Sequence, residues 1–189
     1  TNMNNPPAVI VNKSGTAGNY ITLRNIPGHN PKIKFDGRGR ILISGPQSYL
    51  IIEGFEIEGP GASITYDQAI ADRKWKVKAD QEDLNYSHSY FASFGIWSGF
   101  SQDFLHHHVI IRNNIVHHTT GSGIRFNDSD HITIENNTVY NTTWWTSNAS
   151  SAIVFAECKA LSNNDNGDDI KMIMRGNTVY NYWNRIRFY

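Results

Sequence analysis

Hydrophobic and polar positions alternate with period two over short stretches, and each stretch ends at Asn, Gly or Asp. In Gly123-Ile-Arg-Phe126, Ile124 and Phe126 fall on one face. In His131-Ile-Thr-Ile134, Ile132 and Ile134 do the same, and after Asn136-Asn137 the segment Thr138-Val-Tyr140 turns Val139 inward. Alternation of this kind, rich in β-branched residues, predicts half-buried strands. A helical pattern is expected in one place only, Tyr66 to Trp75.

The triplet of strands recurs. Tyr49-Leu-Ile-Ile-Glu-Gly-Phe-Glu-Ile-Glu-Gly59, His108-Val-Ile-Ile-Arg-Asn-Asn-Ile-Val-His-His118, His131-Ile-Thr-Ile-Glu-Asn-Asn-Thr-Val-Tyr-Asn141 and Lys171-Met-Ile-Met-Arg-Gly-Asn-Thr-Val-Tyr-Asn181 align without a gap. Their starts are 59, 23 and 40 residues apart, and a fainter copy, Tyr20-Ile-Thr-Leu-Arg-Asn25, lies 29 residues earlier. A unit of 23 residues with three short strands predicts an all-β solenoid of triangular section, its coils stacked by parallel pairing at about 4.8 Å per rung. Asn114, Asn137 and Asn177 share one position, and each is expected to supply the left-handed φ of a bend while its amide bonds neighbouring coils. The whole of 1–189 reads as one domain, with insertions at about 60–94 and 157–169.

The pattern G-I-x-F followed by H-I-x-I-x-N-N-x-V-Y resembles the right-handed parallel β-helix repeats of the pectate-lyase-like superfamily. Ser14-Gly-Thr-Ala-Gly-Asn-Tyr-Ile-Thr-Leu-Arg-Asn-Ile-Pro-Gly28 is similar to the opening coil of secreted polysaccharide lyases and related hydrolases. The resemblance covers residues 8–189 and implies a right-handed three-strand-per-coil β-helix. It also implies a secreted, surface or periplasmic location and a substrate groove along the sheet of first strands. Fold alone does not carry the chemistry. Arg185-Ile-Arg-Phe-Tyr189 matches the start of a further coil and no amphipathic cap precedes Ala8, so the solenoid is expected to be incomplete at both ends. It would then be completed by a missing remainder of the chain or by end-to-end assembly.

Composition narrows the partners. Lys+Arg and Asp+Glu are 17 each, giving zero formal charge, so no general attraction to nucleic acid or acidic membranes is expected. No apolar run approaches the eighteen or so residues of a membrane span, and the single Cys158 excludes an intrachain disulfide.

Aligning the first strands Arg40-Ile-Leu-Ile43, Gly95-Ile-Trp-Ser98, Gly123-Ile-Arg-Phe126, Ala152-Ile-Val-Phe155 and Arg185-Ile-Arg-Phe188 gives an outward column Leu42, Trp97, Arg125, Val154, Arg187. Arg125 and Arg187 are candidate contacts for an anionic polysaccharide. The resemblance implies that a basic residue on this face removes the proton α to a uronate carboxylate. A carboxylate neighbour or a calcium ion must acidify that carbon, since an arginine is otherwise too strongly protonated. Trp97, with Trp144 and Trp145 two coils on, is a candidate sugar platform. His108 above His131 forms a candidate pair for substrate contact, general-base duty or metal ligation, with turn capping as the plainer role. Asp128, Asp130 and Glu157 cluster at the turn after the first strand. They are candidates for the two carboxylates of a glycoside hydrolase and, with the oxygen-rich loop 162–169, for calcium. A lyase, a glycoside hydrolase and a non-catalytic carbohydrate-binding or structural solenoid therefore all remain open.

Overall fold

A computed structural model describes residues 7–35, 40–82, 93–99, 103–143, 150–160 and 170–182. Fifteen short strands form three parallel sheets of five. The first sheet holds β1 (Val9–Val11), β4 (Ile41–Ile43), β7 (Ile96–Trp97), β10 (Ile124–Asn127) and β13 (Ile153–Ala156). The second holds β2 (Ile21–Arg24), β5 (Ser48–Glu53), β8 (His106–Arg112), β11 (Ser129–Glu135) and β14 (Met172–Arg175). The third holds β3 (Lys32–Lys34), β6 (Glu56–Glu58), β9 (Ile115–His117), β12 (Thr138–Thr142) and β15 (Thr178–Tyr182). Successive strands go to successive sheets, so the chain winds as a parallel β-solenoid, three strands to a coil.

The register is the one the repeat predicts. Leu50 pairs with Val109, Val109 with Ile132 and Ile132 with Met172, which reproduces spacings of 59, 23 and 40, and Ile21 pairs with Leu50. Alternation puts Ile41, Ile43, Ile96, Ile124 and Phe126 from the first sheet into one core. Leu50, Ile52, Val109, Ile111, Ile132 and Ile134 join them from the second sheet, and Ile57, Val116 and Val139 from the third, all at most 1% exposed. At roughly 1.5–3 kcal/mol for each large apolar side chain taken from water, this interior column is the main force holding the coils.

The corners explain why these strands end where they do. Between the second and third sheets, the Asn114 amide donates to the Ile52 carbonyl, the Asn137 amide to Ile111 and the Asn177 amide to Ile134, each at 2.8–3.0 Å. In return Asn137 Oδ1 accepts the backbone N–H of Asn114 and Asn177 Oδ1 that of Asn137, both at 3.0 Å. The left-handed residue of the bend is not this asparagine but the one before it. Gly54, Asn113, Asn136 and Gly176 have φ of 80°, 56°, 55° and 63°. The expectation is corrected by one position, because one side chain cannot both turn the chain outward and point its amide into the coil stack. At the corner leading back to the first sheet, a Cβ on Gly123 would stand 2.5 Å from Val139 Cγ1, so only glycine lets the third sheet pack there.

The expected helix is longer than its pattern. After a 3₁₀ turn at Pro60–Ser63, α1 runs Tyr66–Gln81, started by a capping box in which Thr65 and Gln68 bond each other's backbone N–H. It buries Ala69, Asp72 and Ala79. No helix among the described residues is long and apolar enough to cross a membrane.

Candidate functional site

Parallel pairing sets the outward column of the first sheet as Ile10, Leu42, Trp97, Arg125 and Val154. Trp97 and Arg125 are therefore side-by-side neighbours on adjacent rungs. The Arg125 Nε donates to Asn127 Oδ1 at 2.8 Å, which fixes the guanidinium along its own strand. Burial lowers the Arg125 pKa, and the negative charge of Glu157 opposes that shift. Trp97 is less open than the sequence suggests. The Arg40 guanidinium lies 4.6 Å above its ring centroid, and Phe94 stacks against it at 5.1 Å. Beside this cluster is a pocket of about 260 Å³ lined in part by Arg40, Leu42, Trp97, Gly99 and Phe104.

The corner from the first to the second sheet collects the predicted acids. Asn127 pairs with Ala156, so Asp128 and Glu157 follow at equivalent corners of adjacent coils, both left-handed with φ of 44° and 54°. Asp128 is 3% exposed and takes an ion pair from Lys159, while Glu157 is exposed. Asp130 is 2% exposed; it accepts the His131 backbone N–H at 2.9 Å and has Lys171 Nζ at 3.5 Å. Asp128, Asp130 and Glu157 do not bring three donor atoms within 4.8 Å of one another. Among the described residues, the only three His, Cys, Asp or Glu groups whose donor atoms all lie within 4.8 Å of one another are Glu56, Glu58 and His117. Two of the corner acids instead hold lysines from the following coil.

His108 does stack on His131, with centroids 4.5 Å apart and planes 6° from parallel, and Tyr49 continues the stack at 4.8 Å. All three have left-handed φ, from 51° to 55°, so the stack marks a kink within the second sheet and each ring caps it on one coil. His107 Nδ1 lies 2.8 Å from His108 Nδ1. Burial lowers the pKa of both His107 and His108, with the charge of His131 adding to it and Asp130 opposing. Arg187, Trp144, Trp145 and the loop 162–169 lie outside the described residues.

Sequence reasoning missed Arg40, Phe94 and Asn127 as partners of the Trp97–Arg125 pair. Arg40 stands in the sequence as the leading residue of its aligned strand, but alternation marks only the middle column as outward. It also missed Glu56 and Glu58, which the repeat displayed at outward positions of β6.

Compared with protein-family models, with curated proteins and with solved structures, the chain gives no significant match.

Proposed function

We propose that this chain is a right-handed β-helix of the pectate-lyase-like type that binds a uronate-containing polysaccharide along its first sheet and cleaves it as a lyase. The observation that carries the reading is the adjacency of Trp97 and Arg125 on the outward face of successive rungs, beside the Arg40-lined pocket. A rung of about 4.8 Å sets an apolar ring and a fixed cation at the separation found within one sugar unit and its carboxylate. In the reaction an arginine of this groove in its neutral form, with Arg187 the candidate, takes the proton from the carbon α to the substrate carboxylate. The electron pair forms a C=C bond as the glycosidic C–O bond on the β-carbon breaks, and the leaving oxygen takes a proton from water. Arg125 neutralises the carboxylate, which acidifies that carbon; Arg187, which the aligned repeats equate with Arg125 and which lies outside the described residues, is its proposed partner. Calcium held by Glu157 and bound to the substrate carboxylate would supply the same acidification.

A second reading, a non-catalytic carbohydrate-binding or structural solenoid, is favoured by the corner acids. Asp128 and Asp130 are buried and lysine-paired, which suits architecture better than the general acid and base of a hydrolase. Either reading suits a secreted or cell-surface location.

The test is a panel of uronate and neutral polysaccharides, with and without chelator, read for ultraviolet absorbance of the unsaturated product and for reducing ends. A lyase gives both signals on a uronate polymer, and Arg125→Ala is expected to lower kcat/KM by at least about 100-fold while the thermal midpoint stays within a few degrees. Reducing ends without absorbance would establish a hydrolase. Binding without either signal would establish the non-catalytic reading.

A further inference from the structure

The outward face of the third sheet carries a second constellation, on a different sheet from the Trp97–Arg125 pair and independent of any role given to it. On β6, Glu56 and Glu58 are two residues apart and so share one face. On the neighbouring strand β9, His117 pairs with Glu58. One donor atom from each lies within 4.8 Å of the others, and His117 Nε2 is 3.1 Å from Glu56 Oε1. The imidazole is 5% exposed and its plane is fixed by Tyr140, which stacks on it at 4.8 Å and 13°. The Lys32 ammonium bridges the two carboxylates, 2.7 Å from Glu56 and 3.1 Å from Glu58, and so marks where a cation is held.

We infer that Glu56, Glu58 and His117 form a binding site for a zinc-class divalent transition metal, which displaces the Lys32 head. Two carboxylate oxygens and an imidazole nitrogen are a three-ligand set that leaves a fourth position open, as zinc tolerates, whereas calcium prefers six to eight oxygens. Lys34 holds the other Glu58 oxygen at 2.9 Å, so two lysines compete with the metal; their side chains are 45% and 71% exposed, and ion pairs that open to water contribute little each.

The hydrogen bonds behind His117 give the site a switchable second layer. The Asn141 amide N–H donates to His118 Nε2 at 3.0 Å, so a neutral His118 carries its proton on Nδ1 and donates to His117 Nδ1, 2.6 Å away. The His117 proton is then on Nε2, directed at Glu56. A metal on Nε2 requires the other tautomer: His117 Nδ1–H donates to His118 Nδ1, and His118 Nε2–H donates to the Asn141 amide oxygen. A half-turn of that amide makes the exchange without a buried group losing its partner. His118 and Asn141 are thus positioning residues for the metal ligand.

The test is calorimetric titration of the chelator-treated chain with Zn(II), and separately with Ca(II), near pH 7.5. One saturable equivalent of zinc and no calcium uptake are expected at the site. Glu58→Gln and His117→Ala should each remove that equivalent. His118→Ala should weaken it by about tenfold or more, and Lys32→Met should tighten it by up to about fivefold. Glu58→Gln is isosteric and outward-facing, so it keeps the fold if His117→Ala does not; far-ultraviolet circular dichroism checks both. Absence of zinc uptake below millimolar concentration overturns the assignment. So does uptake that survives Glu58→Gln or ignores Lys32→Met, since that is adventitious binding to other histidines.

Discussion

His106, the first residue of β8, has no exposed surface, sits edge-on to Phe104 and follows the corner from the first sheet to the second. Burial pushes its pKa down to about 4 from 6.5. The Ser98 backbone and the charge of Asp128 pull it back, and His107 adds to the depression. The unfolded chain therefore takes up this proton first, so stability is full above pH 6.5 and falls as pH drops toward 4. The maximum effect is about 3 kcal/mol. Gln47 precedes Ser48, the register partner of His107, so glutamine already occupies the equivalent place one coil earlier. His106→Gln is expected to fold and to show a smaller loss of urea midpoint between pH 6.5 and 4 than the parent; equal losses would mean that His106 does not drive it. Nothing in the residue order His106-His107-His108 separates the buried ring from the stacked one. Their directions follow only from the kink at His108.

At the scale of strands and corners, two devices fix the register. One is the asparagine column. Asn137→Ala would leave the backbone N–H of Asn114 and the carbonyls of Ile111 and Glu135 without their side-chain partners. A buried unsatisfied group costs about 1–3 kcal/mol, so a loss of about 2–4 kcal/mol in chemical denaturation is expected, with parallel sheets retained. A change below about 1 kcal/mol would mean that water replaces the amide. The other device is a column of alternating charge on the second sheet, Arg24, Glu53, Arg112, Glu135 and Arg175, in direct register. Arg112 Nε reaches Glu53 at 2.6 Å and Arg175 Nε reaches Glu135 at 2.9 Å. Arg112–Glu53 is half-buried and Arg175–Glu135 exposed, and single pairs open to water add little stability, but skipping a coil would set like charges beside one another. The aligned repeat displayed both columns. The left-handed residue one place before each asparagine is ambiguous in Asn113-Asn114 and Asn136-Asn137, where either asparagine suits that conformation, and only the glycines aligned with them, Gly54 and Gly176, mark the position.

For the whole molecule, each coil pairs with its immediate neighbours and with no other, so stability is distributed along the stack rather than held at one centre. The inward residues of β8 and β11 have no exposed surface, whereas β2, β3 and β14 are intermediate or exposed at every position. Hydrogen exchange of this chain is expected to be slowest in β5, β8 and β11 and at least about tenfold faster in β2, β3 and β14. Uniform protection across all coils would show instead that the chain opens only as a single unit.

Sequence by itself determined the coil: which residues face inward, how far apart the strands repeat, and which asparagines stack. These follow from alternation and spacing, which are local properties of a repeating chain. Tertiary structure decided what the outward positions do. Arg125 is tied to Asn127, Trp97 is covered by Arg40 and Phe94, the corner acids are held by lysines of the next coil, and Glu56 and Glu58 meet a histidine 59 residues or more away. An outward side chain has no periodic constraint to reveal it. Its partners come from neighbouring rungs separated by insertions of unequal length, so only the folded register shows which charges and rings end up in contact.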